Sequence, residues 1–271
     1  MSEWNFMDPA SKENVLRFVR QEADGFFALA SPTETWEAPT GAGHWQVRDV
    51  VGHMVDTTET YFIGFDAARG QGGGPESRPL TEMQRYADEG AQAFRGTPPR
   101  ELLDRLETDL HKMLGIFEGL TDEDWTGLTV PHKYMGPLPA LFYPIFQLVD
   151  YTVHSWDLRQ GTGRSHVIDG DAADLLAPLC FVLWQATARC ADIEEPFTIG
   201  IRVSGRNAGD TRVTASPEGL STEAGTVDDL PLVLEFDPAS FVLTAFGRTN
   251  AGTARGDRAL AERYCNLFFR I

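Results

Sequence analysis

The sequence predicts a bundle of α-helices followed by a small α+β domain, on two observations. Apolar residues recur every three or four positions through the first part of the chain, as they do on the buried faces of helices. Beyond about residue 192, short runs alternate apolar and polar side chains between glycine, aspartate and proline, which is typical of strands. The 271 residues suffice for two domains of roughly 150 residues each, which we place at residues 1–165 and 166–271.

Four amphipathic helices are expected in the first domain, packed side by side as a bundle. Ser11 is a typical N-cap for the first helix, which ends at Ser31–Pro32. A glycine-rich loop from Gly70 ends the second helix, and Pro144 suits the first turn of the last one. The helices are predicted at residues 11–31, about 46–68, 81–120 with a break at 96–99, and about 144–159.

The second domain begins with a helix, predicted at residues 170–191, that is apolar enough to join the two parts of the chain. Three strands and then two helices follow it. The strands are predicted within residues 196–205, 211–219 and 230–236, and the helices at 238–246 and 257–268. This order of elements is typical of an α+β domain.

The composition excludes some kinds of partner. With 23 Lys and Arg against 40 Asp and Glu, the formal charge is -17, so most of the surface would repel a phosphate backbone and we expect no nucleic-acid partner. The most apolar stretch, residues 138–149, is too short to cross a bilayer, so we expect no membrane partner either. An odd number of cysteines without a CxxC pair, and a start without a basic and apolar leader, predict a protein of the reducing cytoplasm.

Three residues stand out as candidate metal ligands: His53, Asp150 and His154. His53 lies mid-helix among apolar residues, where a buried imidazole needs a partner. Asp150 and His154 are four residues apart, which places both side chains on the same face of a helix, one turn apart. Two nitrogens and one oxygen from neighbouring helices could hold a divalent ion and leave a fourth position open, as catalytic zinc sites do.

Each of these residues also has a purely structural interpretation. An Asp/His pair at this spacing is commonly a surface ion pair, and a lone histidine is commonly a hydrogen-bonded core residue. Asp157 follows His154 by three residues and could accept the second ring proton of that imidazole, but a solvated aspartate explains it as well. Asp56, three residues after His53, could act near the site as a base or could simply be a polar residue on the bundle face.

Two stretches of the chain resemble the motifs of a known family. TWEAPTGAGHWQVRDVVGHMVDTTE, residues 35–59, and VDYTVHSWDLRQGTG, residues 149–163, resemble the two motifs of the mycothiol-dependent maleylpyruvate isomerase family, part of the DinB-like metal-binding superfamily. The resemblance covers about residues 10–165. FDPASFVLTAFGRTNAGTARGD, residues 236–257, is more loosely similar to the family's small sterol-carrier-like C-terminal domain.

The resemblance implies a metal centre in the DinB-like bundle. In the family, one histidine of the second helix and a carboxylate-xxx-histidine pair of the last bundle helix bind a divalent ion, usually Zn²⁺. These positions correspond to His53, Asp150 and His154. Glutamate is frequent where this chain has Asp150, whose shorter side chain requires a closer approach to the ion or a different denticity.

The resemblance also implies mycothiol as a thiol cosubstrate. A free thiol has a pKa near 8.5, and a metal-coordinated thiol is deprotonated, so the metal would supply a nucleophile at neutral pH. That nucleophile would isomerise a maleylpyruvate-like cis double bond or be transferred to another small electrophile. The family is thought to use a C-terminal arginine on its anionic substrate, and Arg248 is the nearest match, with Arg202 and Arg255 as competitors.

Two other functions would use the same three ligands. A metal-dependent hydrolase would activate water instead of a thiol, and activity without any thiol would identify it. A non-catalytic protein would hold a small molecule in its C-terminal domain and use the metal structurally, and a fourth protein ligand would favour it. We predict a mycothiol-dependent isomerase or thiol S-transferase.

Overall fold

The computed structural model describes residues 3–164 and 167–269. The chain divides into two compact units, residues 1–168 and 169–271. The predicted boundary between residues 165 and 166 lies outside the described residues. The predicted fold class, a helical part followed by a small α+β part, is confirmed.

Four long helices form the bundle of the first unit. Its elements in chain order are α1 (Lys12–Ala30), α2 (Val47–Ala68), α3 (Met83–Ala93), α4 (Pro99–Glu118), α5 (Asp122–Gly127), β1 (Thr129–His132), β2 (Gly136–Pro139) and α6 (Phe142–Gly161). Helix α1 packs along α6 and α2 along α4, while α3 lies against α2. Ser11 precedes α1, but its hydroxyl donates to the carbonyl oxygen of Asp8 and forms no side-chain cap, so the predicted capping role is wrong.

Helix α6 is the most enclosed of the bundle helices. Every residue from 143 to 158 is buried except Asp150, which is partly exposed. Because α6 carries polar side chains as well as apolar ones, it brings acid and imidazole groups into the centre of the bundle. Because the helix is enclosed on all sides, its apolar residues surround it rather than form one stripe.

The sequence pattern does not predict α5 or the β1–β2 hairpin. Helix α5 is short and is held by a capping box in which Thr121 and Asp124 accept hydrogen bonds from each other's backbone N–H. The hairpin strands have four residues each, with Pro131 paired to Pro137. Prolines remove ladder donors and interrupt the alternation by which strands are recognised.

Helix α2 approaches its neighbours closely at two glycines. A Cβ atom added at Gly52 would lie 2.5 Å from the carbonyl oxygen of Ala91 in α3. One added at Gly64 would lie 2.7 Å from the carbonyl oxygen of Pro131 in β1. A larger residue at either position would push α3 or the hairpin away from α2.

An ion pair between a buried aspartate and an exposed arginine fixes the start of α2. Gln46 and Asp49 form a capping box, and the carboxylate of Asp49 accepts hydrogen bonds of 2.7 and 2.8 Å from Arg95. Burial opposes the charge on Asp49, but Arg95 and the backbone N–H of Gln46 outweigh it and lower the pKa of the carboxyl group. The pair ties the first turn of α2 to the segment that follows α3.

The second unit is a five-stranded sheet with helices. Its elements are α7 (Gly170–Thr187), β3 (Phe197–Val203), β4 (Gly209–Ser216), β5 (Gly219–Ala224), β6 (Leu232–Phe236), α8 (Pro238–Ala245), β7 (Thr253–Gly256) and α9 (Arg258–Cys265). The strand order is β5-β4-β3-β6-β7, in which β3 and β6 are parallel and the other pairs are antiparallel. In neither unit is a described helix both long enough and apolar enough to span a bilayer.

The predicted strands correspond to β3, β4 and β6, whereas β5 and β7 are not predicted. Both missed strands lie at the edges of the sheet and bury none of their side chains. Alternation of apolar and polar residues arises when one face of a strand is buried. A strand without a buried face lacks this alternation, so its sequence resembles that of a loop.

We expect Gly52→Ala to lower the free energy of unfolding by about 1–3 kcal/mol, because the new methyl group would overlap the backbone of α3. Gly25→Ala is the matched control, since Gly25 also lies within a helix, α1, and has open space where the methyl group would go. That control should raise stability by about 0.5–1 kcal/mol. Urea unfolding followed by circular dichroism measures both, and equal effects of the two variants would contradict the close approach.

Candidate metal centre

The structure brings the three predicted ligands together. His53 extends from α2, and Asp150 and His154 lie one turn apart on α6. One potential ligand atom of each residue lies within 4.8 Å of those of the other two. The two imidazole rings are 5.1 Å apart and inclined by 77°, so they approach a common point from different directions. We call these three residues the triad.

The donor set of the triad fits a divalent ion. Two imidazole nitrogens and one carboxylate oxygen are the protein ligands of many catalytic zinc sites, which keep a further position open. His154 is 6% exposed, and the other two residues are partly exposed. An ion bound by these residues would therefore be enclosed on the side of His154 and accessible on the side of His53 and Asp150.

Asp157 orients the imidazole of His154. Its Oδ2 lies 2.9 Å from Nδ1 of His154, and the residue is fully buried. An ionised carboxylate accepts the Nδ1 proton, which leaves the lone pair of Nε2 for a metal. The backbone N–H of Gly41 donates to the carbonyl oxygen of Asp157, and a Cβ at Gly41 would lie 2.8 Å from Oδ1. Asp157 is thus not a solvated aspartate.

Trp45 forms a fixed wall beside the triad. Its ring centroid lies 5.0 Å from that of His53, and its Nε1 donates to Asp88 at 2.9 Å. Burial opposes the charge on Asp88, but hydrogen bonds from Gln92, Trp45 and His44 outweigh it and lower the pKa of this carboxyl group. A carboxylate on α3 that is ionised at neutral pH therefore holds the indole in place.

A pocket opens directly beside the triad. It encloses about 70 Å³, room for a few water molecules or a small ligand group. Helix α2 contributes one wall, α3 a second, and the end of the β1–β2 hairpin a third. The lining residues are His53, Asp56, Thr57, Thr60, Tyr61, Met83, Ala87, His132, Lys133, Tyr134 and Asp150. Because two triad residues border the pocket, a ligand at the open metal position would extend into it.

His132 is a pocket residue that sequence reasoning did not identify. It lies at the end of β1, is 8% exposed, and accepts hydrogen bonds at Nδ1 from the backbone N–H groups of Tyr134 and Met135. Burial and, to a smaller extent, Lys133 lower the pKa of His132 to about 4, so the ring is neutral at pH 7. Its position two residues before Tyr134 and three before Met135 is consistent with a side chain that accepts hydrogen bonds within a turn. No local sequence pattern indicates that the same residue lines a pocket.

Asp56 and Lys133 face each other across the pocket wall. Oδ2 of Asp56 lies 3.6 Å from Nζ of Lys133, and Gly90 of α3 leaves room for the carboxylate. The sequence left open whether Asp56 acts as a base or is only a polar residue on the bundle face. The structure places Asp56 near the triad but paired with the ammonium group of Lys133. Burial and Asp56 raise the pKa of the neighbouring Tyr134 to about 12, so this hydroxyl keeps its proton.

Arg248 lies in the second unit, after α8. Its side chain is half-buried, and Nη1 donates to the carbonyl oxygen of Phe246 at 2.8 Å. The competing Arg202 bonds Asp210, Asp228 and Glu235, while Arg255 bonds Glu235. The substrate role of Arg248 stays a prediction.

Known proteins are similar to this chain at two levels: a family model matches the helical part, and solved structures have a similar overall fold. Residues 16–159, slightly more than half of the chain, match the family model of the mycothiol maleylpyruvate isomerase N-terminal domain. The crystal structure of the mycothiol-dependent maleylpyruvate isomerase has a similar fold, with a TM-score of 0.61 and 14% identity over 90% of this chain and 92% of that chain. A histidine-to-alanine mutant of that isomerase gives a TM-score of 0.60 at the same identity and coverage.

No curated protein sequence matches the chain. The family model nevertheless covers the first motif, residues 149–159 of the second and all three triad residues. The chain therefore belongs to the mycothiol maleylpyruvate isomerase N-terminal domain family, an enzyme family, as its two motifs predict.

Proposed function

We propose that the protein is a metal-dependent enzyme that uses mycothiol as a nucleophile on a small electrophile, and that His53, Asp150 and His154 hold the ion. The convergence of these ligand atoms within 4.8 Å beside a pocket is the observation that carries the proposal. Zinc is the metal we favour, because it is commonly bound by imidazole and carboxylate ligands in sites with an open position. Bound there, the ion supplies the acidity that converts a thiol into a thiolate at neutral pH.

The chain's own thiols do not suit the role of nucleophile. Cys180 and Cys190 are buried, and burial raises the pKa of both thiols and that of Cys265. A thiol with a raised pKa is almost entirely protonated at pH 7 and is a poor nucleophile. The nucleophile therefore comes from outside the chain, which supports mycothiol. The three free cysteines also support a reducing compartment such as the cytoplasm.

The isomerase with a similar fold is named for maleylpyruvate, whose cis double bond is conjugated to carbonyl groups. Addition of the thiolate forms a C–S bond at one alkene carbon and moves the π electron pair onto a carbonyl oxygen, which gives an enolate. The remaining C–C single bond rotates. The enolate then returns its electron pair, the double bond re-forms as trans, and the C–S bond breaks. In an S-transfer reaction, the thiolate instead keeps its bond to the electrophile, and either the enolate takes a proton from water or a leaving group departs with the displaced electron pair.

The chain's residues have three tasks in this reaction. Asp157 holds the imidazole of His154 in the orientation and tautomer of a ligand. Trp45 covers the triad and excludes water from one side. Arg248 is our candidate for pairing with the anionic substrate, because a guanidinium recognises carboxylates and stabilises developing negative charge.

We expect His53→Ala and His154→Ala each to weaken metal binding by more than about 100-fold, because each removes a direct ligand. Loss of a residue that only orients a ligand costs roughly 10- to 100-fold. His111→Ala is the matched control, since His111 is exposed on α4. Metal content is measured by elemental analysis after dialysis against a competing chelator. Full metal content in either triad variant would contradict the ligand assignment.

We expect the zinc-loaded protein to bind mycothiol and to release about one proton, because a thiol with a pKa near 8.5 is mostly protonated at pH 7 before it binds. Calorimetric titrations in buffers of different ionisation enthalpy measure both quantities. Glutathione and cysteine serve as comparison thiols and should bind more weakly. If no thiol binds to protein that is shown to hold metal, the thiol proposal is wrong, and the hydrolase and binding-protein alternatives gain support.

We expect Arg248→Ala to lower kcat/KM for maleylpyruvate by about 100-fold, the cost of removing one donor to a developing oxyanion. Arg255→Ala is the control, because the side chain of Arg255 is 70% exposed and bonds Glu235 on the sheet. Thiol-dependent turnover is followed spectrophotometrically for both variants. Equal activity of the Arg248 variant and the unmodified protein would remove this arginine from the mechanism.

A further inference from the structure

The pocket beside the triad presents several hydrogen-bond donors. His132, Lys133 and Tyr134 follow one another at the end of the hairpin, and Tyr61 faces them from α2. The ring of His132 lies 6.1 Å from that of Tyr61 and 5.5 Å from that of Phe146. These aromatic contacts and the turn fix the orientation of the imidazole, so it forms a rigid part of the pocket wall.

The hydrogen bonds of the turn determine which nitrogen of His132 carries the proton. Two backbone N–H groups, those of Tyr134 and Met135, donate to Nδ1 at 3.2 and 3.1 Å. An atom that accepts two N–H groups cannot itself be protonated, so the proton of the neutral ring is on Nε2. The opposite side of the imidazole is therefore a preformed N–H donor in a residue that lines the pocket.

Lys133 adds a positive charge next to this donor. Its Nζ lies 3.6 Å from Oδ2 of Asp56, and 21% of its side chain is exposed. Burial and Asp56 keep Tyr134 protonated, so this residue offers a third donor. A group that accepts hydrogen bonds from these residues must carry lone pairs, and an anionic oxygen gains most because hydrogen bonds to charged acceptors are the stronger ones.

We propose that the pocket binds an anionic oxygen of the electrophile and that Nε2–H of His132 donates a hydrogen bond to it. This inference rests on the proposed function, since it assigns the binding site of that reaction's second substrate. The oxygen is either a carboxylate of the bound substrate or the carbonyl oxygen that receives the electron pair when the thiolate adds. His132 keeps its proton throughout, so the step needs no acid or base beyond the reactants.

Two amide substitutions separate the donor role of His132 from its role in the turn. In His132→Asn, the side-chain oxygen occupies roughly the place of Nδ1 and is able to accept the same backbone N–H groups, but the pocket donor is lost. In His132→Gln, the longer side chain is able to place an N–H group near the position of Nε2, but the acceptor for the turn is lost. The melting temperature of each variant reports the state of the turn.

Maleate is the probe, because it is a stable cis-dicarboxylate that needs no thiol and does not react. Calorimetric titration of the metal-loaded protein should give an affinity about tenfold or more weaker for His132→Asn than for the unmodified protein, and an affinity within threefold of it for His132→Gln. If His132 only braces the hairpin, the order is reversed: the Asn variant binds maleate normally, and the Gln variant melts earlier and binds weakly. That reversed order, equal weakening in both variants, or no maleate binding by the unmodified protein would overturn the proposal.

Kinetics distinguishes the two sources of the oxygen. With maleylpyruvate and mycothiol, a contact to a carboxylate raises KM in His132→Asn at unchanged kcat, whereas a contact to the enolate oxygen lowers kcat. Failure of the proposed function has a different signature: the unmodified protein binds maleate through His132 but shows no thiol-dependent turnover. Normal turnover and maleate binding in His132→Asn would instead contradict only the role of His132.

Discussion

The structure depends on a polar strip along the enclosed helix α6. Asp150, His154 and Asp157 lie on a helix that is otherwise enclosed by apolar neighbours, and a charged or polar group inside a protein is costly unless it is paired. The contact between Asp157 and His154 satisfies one side of the imidazole. A divalent ion on the other side would balance the charge of the Asp150 carboxylate and bind a ring nitrogen of each histidine. We therefore expect the ion to stabilise the bundle as well as to serve the reaction.

His53 completes the triad from α2, and three contacts to α3 and to the segment after it fix this part of α2. Arg95 fixes the first turn of α2 through Asp49. Gly52 lets α3 approach one position before His53. Asp88, on that same helix α3, holds Trp45 against the ring of His53. The position of a single imidazole thus depends on contacts that involve α3, which itself supplies no ligand of the triad.

The sequence predicts those parts of this arrangement whose residues recur at a regular spacing along the chain. Helices with one buried stripe, three of the strands and the pair Asp150 and His154 all leave a regular spacing in the chain. Strands β5 and β7 leave none, because they have no buried face. The hairpin leaves none because of its prolines, so the pocket role of His132 was not predictable. Its place in the pocket comes from a tertiary contact with Tyr61 of α2, and single-sequence patterns carry no information on such contacts.

Helix α2 links the two halves of the proposed reaction. One turn carries His53 into the triad, and the following turns carry Asp56 and Tyr61 along the pocket. A thiol at the metal and an electrophile in the pocket would therefore meet beside one rigid helix, which limits their relative motion and lowers the entropic barrier to addition. The hairpin that completes the pocket packs on α2 at Gly64. A change in the hairpin turn would consequently alter which electrophile fits while leaving the triad in place.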